Sequence, residues 1–145
     1  MNDLESDAHI LRHVQPIFDN APFAKHLGIR LEAAGPGWCR TSLAVQDCHL
    51  QQHGIVHAGV ITTLADHTTG GAARASVPPG SDVVTVEFKM NFLRPVTVRR
   101  LSCKGWTLRA GSRIIVTTSE VYMLGEGEPV LAATCSATLS VITPR

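Results

Sequence analysis

A single carboxylate, Asp66, stands inside the stretch QQHGIVHAGVITTLADHTTGGAARAS (residues 51 to 76), where a glycine-interrupted loop runs into a helix-patterned segment. Val60, Ile61, Leu64, Thr68 and Ala72 recur at the three-to-four spacing of a helix with one buried face. At about 100° per residue, Thr62, Asp66, Thr69 and Ala73 fall on a different stripe, so the carboxylate faces some neighbour other than the main apolar contact. There it can serve as a nucleophile or a base. At the start of the same helix, His57, Ala58 and Gly59 leave backbone amides without intrahelical acceptors, and their small neighbours let an oxygen approach. The chemistry on offer at that end is an anion or oxyanion hole.

These two features are too far apart to serve one reacting carbonyl within one chain. Eight residues at a rise of about 1.5 Å separate Ala58 from Asp66 by roughly 12 Å along the axis. A base and an oxyanion donor must each come within about 3 Å of the reacting group. The two are therefore expected to come from different copies of the helix, in a site shared by two chains.

His49, His53 and His57 are spaced four apart and would line one face of a continuous helix as zinc ligands. Gly54, Ile55 and Val56 argue against that helix, and no HExxH pattern is present, so no metal site is expected. GxGxxG, a Walker loop and a Gly-x-Ser-x-Gly elbow are absent as well, which argues against nucleotide redox chemistry, phosphoryl transfer and a serine hydrolase. For Asp66 the plain alternative is a surface pair with Arg74, and for Thr85 it is an ordinary β-former.

The elements that must position these residues are legible from periodicity. A peripheral helix is expected within residues 1–20, where Leu4, Ile10, Leu11, Val14, Ile17 and Phe18 recur at near-helical intervals. Phe23 to Leu27 can form a short turn stopped by Gly28. Ile29 to Ala33 and Trp38 to Val45, joined by Gly35-Pro36-Gly37, read as a hairpin. The central helix covers residues 58–76, and Val77-Pro78-Pro79-Gly80 breaks the chain after it. In the next strand Val84, Val86, Phe88, Met90 and Phe92 alternate with Thr85, Glu87, Lys89 and Asn91, which puts the apolar set on one face and Thr85 on the polar one.

In the strand after that, a parity change beside Gly105 suggests a β-bulge. Two further strands, separated by the Gly125–Pro129 turn, complete an antiparallel sheet whose apolar face must cover something. The central helix is the only long amphipathic element available. Gly70, Gly71, Ala72 and Ala73 suit close backbone approach there. The fold class expected is α+β, one domain over residues 1–145, with six antiparallel strands wrapped around one long helix.

Composition sets the remaining bounds. The chain has 145 residues, 44% hydrophobic and 17% charged, with a net charge of +1, so neither a nucleic-acid partner nor an acidic tail is indicated. Four cysteines without CxxC spacing read as mostly buried reduced thiols. No run of about eighteen apolar residues offers a membrane span, and the protein is taken as cytoplasmic.

HGIVHAGVITTLAD followed by VVTVEFKMNFLRPV closely resembles the hotdog-fold acyl-CoA thioesterases of the phenylacetate-degradation type, in the 4-hydroxybenzoyl-CoA thioesterase superfamily, over about residues 20 to 142. The resemblance implies the hotdog fold and hydrolysis of an acyl- or aryl-CoA thioester to free acid and coenzyme A. It casts Asp66 as nucleophile or general base and the Ala58 amide as oxyanion donor. His57 and Gln51 match positions that order the loop or polarise the thioester, and Thr85 matches a hydroxyl that holds the water. Gly59, Asn91, Phe92 and Arg94 fall at substrate-binding positions, with Arg94 the foremost of several arginines for the phosphates of coenzyme A.

No metal or redox cofactor is implied, and the assembly implied is a homodimer or a dimer of dimers. Ala58 departs from the usual glycine; the amide survives, and the added methyl narrows the approach. The alternatives are a non-catalytic acyl- or aromatic-binding hotdog protein and a hotdog enoyl-CoA hydratase, although the latter would want a paired Asp and His in a different loop.

Overall fold

The computed structural model describes residues 4–143. The chain opens with two helices, α1 (Ala8–Asp19) and α2 (Pro22–Leu27). Within the predicted span of 1–20, α1 starts only at Ala8, and residues 1–3 lie outside the described residues. The start is set by Asp7, whose carboxylate accepts from the amides of His9 and Ile10 at 2.8 and 3.0 Å and so satisfies donors that the first turn leaves orphaned. Those bonds hold its carboxyl below the usual range. The stop of α2 is Gly28, left-handed at φ 82, with its amide on the Ala24 and Lys25 carbonyls.

β1 (Arg30–Gly35) and β2 (Trp38–Ala44) form the predicted hairpin. A 3-10 turn over Asp47–His49 leads to α3 (Ala58–Arg74), followed by β3 (Asp82–Phe92), β4 (Arg100–Ala110), β5 (Ile114–Met123) and β6 (Val130–Ile142). All neighbours pair antiparallel in one six-stranded sheet of order β1-β2-β4-β5-β6-β3. The sheet wraps α3, which touches β2 through β6.

Leu64 of α3 is fully buried with Leu43, Leu101, Ile115 and Leu139 from four strands, each such side chain worth about 1.5–3 kcal/mol of burial. The covered surface reaches further round the helix than the apolar spacing suggests, because Thr69 and Ala73 are buried too. The threonines manage this by bonding locally: Thr68 Oγ1 donates to the Leu64 carbonyl at 2.6 Å, and Thr69 Oγ1 to the Asp66 carbonyl at 2.7 Å. Cys39, Cys103 and Cys135 are buried free thiols, and Cys48 is exposed.

Three expectations are corrected. In β4 there is no bulge at Gly105: Leu101, Cys103 and Gly105 stay in phase and buried, and the register shifts between Thr107 and Arg109. A Cβ on Gly105 would stand 2.9 Å from the Thr68 carbonyl oxygen of α3, so this glycine admits the helix backbone. Among the helix glycines, Gly71 admits a side chain, Cys39 Sγ, 2.6 Å from an added Cβ, whereas Gly70 meets nothing within 4 Å.

The third correction matters most for the site. A bulge between Thr85 and Glu87 breaks the alternation of β3. Thr85 pairs with Leu139, Phe88 with Ala137, Met90 with Cys135 and Phe92 with Ala133, and all four partners are buried under the helix. Directly opposed residues share a face, so Thr85 joins Phe88, Met90 and Phe92 on the helix side, while Val84 opposite Ser140 faces out. One extra residue has switched the parity. β3 is also the sheet's edge, which leaves Val84, Val86, Phe88 and Phe92 exposed rather than in the core.

Candidate active site

Asp66 lies in the middle of α3, and its Oδ1 accepts from Thr85 Oγ1 at 2.9 Å. Arg74, its plain alternative partner, pairs instead with Asp82 at 2.9 Å. Burial pushes the Asp66 carboxyl above its usual range; the Thr85 hydroxyl and the neighbouring His67 offset part of that rise. His67 Nε2 stands 3.0 Å from the Ile17 carbonyl, and its ring meets Phe18 edge-on at 4.7 Å. Burial lowers its pKa, which favours the neutral ring. A cleft of about 250 Å³ opens over the carboxylate, with Ala21, Phe23, Thr62, Thr63, His67 and Phe88 among its walls.

At the helix start, His57 is the N-cap, extended at φ −61 and ψ 137, and its Nδ1 accepts from the Gly59 amide at 2.8 Å. The Val60 amide goes to the His57 carbonyl at 3.0 Å. The cap thus occupies the amide of Gly59, and the amide of Ala58, as the first helical residue, has no acceptor within the helix. The preceding loop is tied by Gln51 N–H to the Ile55 carbonyl and by Gly54 N–H to the Gln51 carbonyl, both at 2.9 Å, with Gly54 at φ 79. The Gln51 side chain also accepts from the His53 amide.

A second cleft, of about 460 Å³, brings Gln51, His57, Ala58, Phe92, Arg94 and Val96 together. Arg94 Nη1 donates to the Leu131 carbonyl at 2.6 Å. Asn91 is not brought to either cleft; it lies on the outer face, where its Nδ2 donates to Thr134 Oγ1 at 3.0 Å. His49, His53 and His57 occupy a 3-10 turn, a loop and a cap instead of one helix face. Among the described residues, no group of three His, Cys, Asp or Glu side chains is placed to hold a metal ion.

The carboxylate cleft and the amide cleft therefore open at different levels of one helix, and each is bordered by a phenylalanine of β3, Phe88 at the first and Phe92 at the second. Sequence reasoning did not find Phe23, Ala21 or the wall formed by His67. The corner between α1 and α2 carries no pattern that ties it to a carboxylate in a later helix.

An antiparallel six-stranded sheet wound on one helix, with a half-buried carboxylate half-way along it and a capped N-terminus facing a cleft, defines the hotdog class of enzymes that hydrolyse thioesters. The chain belongs to the thioesterase superfamily, whose family profile matches residues 53–130, more than half of its length. A thioesterase family protein from Silicibacter pomeroyi is 31% identical, over 93% of this chain and 99% of that one, with a TM-score of 0.89. A thioesterase of Haemophilus influenzae is 27% identical, over 92% of this chain and 90% of that one, with a TM-score of 0.80. The PaaI protein of the E. coli phenylacetic acid degradation operon, 21% identical over 92% and 93% of the two chains, shares the fold at a TM-score of 0.81.

Proposed function

We propose that the protein is an acyl-CoA thioesterase that hydrolyses an acyl- or aryl-CoA thioester to a free acid and coenzyme A, at sites shared between two copies of the chain. The observation that carries this reading is that Asp66, hydrogen-bonded by Thr85, lines a cleft that the Ala58 amide of the same chain does not reach. Asp66 acts ionised, in one of two ways. As a base it takes a proton from water while the water oxygen bonds to the thioester carbon. As a nucleophile it forms that bond itself, and water then cleaves the mixed anhydride.

In both routes the carbonyl oxygen becomes an oxyanion held by the Ala58 amide of a second copy, and its collapse breaks the C–S bond; coenzyme A leaves as a thiolate that takes up the proton given by the consumed water. Thr85 aims the carboxylate or the water. His57 and Gln51 hold the loop before the helix, with Gly59 capped beneath it. Phe92 and Arg94 border the amide cleft, which supports Arg94 as the partner of the coenzyme A phosphates.

The edge strand β3 supports an assembly of two copies. It is an edge strand with apolar side chains exposed along it, the kind of edge that pairs with another chain. Antiparallel pairing of two such edges about a two-fold near Met90 sets Phe88 of one copy opposite Phe92 of the other, and so the carboxylate cleft near the amide cleft. A homodimer supplies this, alone or within a dimer of dimers. The chain is read as a single domain and as cytoplasmic; among the described residues no helix is long and apolar enough to cross a membrane.

Mixing two impaired variants tests the shared site. Asp66→Asn and Ala58→Pro, each strongly impaired alone, should regain thiol release when unfolded together and refolded, because a mixed dimer holds one site with both native groups. Random pairing restores about a quarter of the sites. Activity that stays at the level of the separate variants in a verified mixed dimer would sink the two-chain site. A folded wild type that releases no thiol from any acyl-CoA would turn the reading to a ligand-binding hotdog protein.

A further inference from the structure

The cleft over Asp66 has one wall that belongs to no strand and not to α3: the corner between α1 and α2. Phe23 projects from this corner with 63% of its surface exposed, and across the same cleft Phe88 is 43% exposed. Phe88 belongs to the edge proposed above to pair with a second copy, so Phe23 is the ring that marks a surface for an apolar group to cover.

The corner is not free to swing away. Pro22 fixes the backbone at the first position of α2, Ala24 is buried beneath it, and Gly28 closes the helix. Just before it, the Ile17 carbonyl meets His67 Nε2 at 3.0 Å, and Phe18 packs against the same imidazole. His67 adjoins Asp66, so the carboxylate and the ring of Phe23 are referred to one rigid point. The cleft, at about 250 Å³, exceeds the roughly 150 Å³ in which a buried apolar cavity takes up benzene. A six-membered ring with its carbonyl fits.

Building on the thioesterase reading, we propose that Phe23 determines acyl specificity: with Phe88 opposite, it selects a bulky apolar acyl group, a ring foremost, over a short one. The thioester carbonyl sits toward Asp66 and the acyl group lies between the two phenylalanines. A short acyl group leaves Phe23 uncovered and gains nothing from it.

The test compares wild type with Phe23→Ala and Phe23→Leu on benzoyl-CoA and acetyl-CoA, measuring KM and kcat by thiol release. Calorimetry then measures binding of a thioether analogue of benzoyl-CoA that cannot be hydrolysed. Phe23→Ala should raise KM for benzoyl-CoA and weaken the analogue by roughly tenfold, leave acetyl-CoA within about twofold, and keep the subunit assembly unchanged, with Phe23→Leu between. Equal losses on both substrates, no change on either, or an altered assembly would overturn the proposal.

The two readings fail separately. A wild type that binds the analogue through Phe23 but hydrolyses neither thioester keeps the specificity assignment and removes the reaction. A wild type that hydrolyses both with a preference Phe23→Ala does not move keeps the reaction and removes the assignment.

Discussion

The hydroxyl of Thr85 lies 2.9 Å from Oδ1 of Asp66, joining the edge strand β3 to the middle of α3. A carboxylate in this setting is pulled two ways. Burial raises its pKa, and the hydroxyl, by donating to the ionised form, lowers it. The balance leaves a base stronger than an exposed aspartate, which suits proton abstraction from water.

Thr85→Val removes the donor and keeps the shape. The Asp66 pKa should rise further, so the acidic limb of the kcat/KM profile moves to higher pH, and the rate at pH 7 falls by an order of magnitude or so. Thr85→Ser should restore the limb. A Thr85→Val enzyme with an unshifted limb would show that the hydroxyl does not tune this carboxylate.

Asp66→Asn should lose at least about a hundredfold in kcat and yet melt higher than wild type at pH 7. The sign follows from the raised native pKa. The folded state binds the Asp66 proton more tightly than the unfolded chain does, so the ionised group costs stability at pH values above both its native and its unfolded pKa. Lowering the pH through the native value and then the unfolded one protonates the wild type and should close the gap. Thermal melts of both proteins from pH 7 down to about pH 3 measure it, and a wild type more stable than Asp66→Asn at neutral pH contradicts the assignment.

Ala58→Pro tests the amide itself, which no side-chain exchange removes. Proline is tolerated at the first position of a helix, and His57 before it already has an extended backbone. The variant should fold with an unchanged circular dichroism spectrum and lose about a hundred- to a thousandfold in kcat. Ala58→Gly keeps the amide and widens the approach, so its kcat should hold.

Gly105→Ala places a methyl 2.9 Å from the Thr68 carbonyl. Backbone cannot yield as a side-chain tip does, so a loss of about 1–3 kcal/mol in denaturant unfolding is expected. Gly70→Ala, in open space on the same helix, should be neutral or stabilising by up to about 1 kcal/mol. Equal effects from the two would deny the close helix–strand contact.

Much of this was legible along the chain because its causes are local. The span of α3 follows from spacing within a few turns, the stop of α2 from Gly28, and the β1–β2 hairpin from Gly35-Pro36-Gly37. Asp66, Ala58 and His57 stood out by type and spacing in one stretch of 26 residues, 51 to 76, and Gln51 by the family resemblance. The rise of a helix alone placed the carboxylate and the amide too far apart for one carbonyl.

What spacing could not decide was the parity of β3. Alternation put Thr85 on the face away from the helix, and the bulge before Glu87 turned it in. The same register left Asn91 on the outer face with Thr134. A bulge is fixed by where the partner strand's hydrogen bonds and buried side chains fall, here those of β6, more than forty residues later in the chain. Gly105 likewise looked like a strand irregularity until the helix backbone was seen against it. Phe23 reaches the carboxylate cleft only because α1 docks on His67. Helical and turn preferences act over a few residues, whereas the partners of Asp66 are chosen by packing between segments that approach each other only in the folded chain.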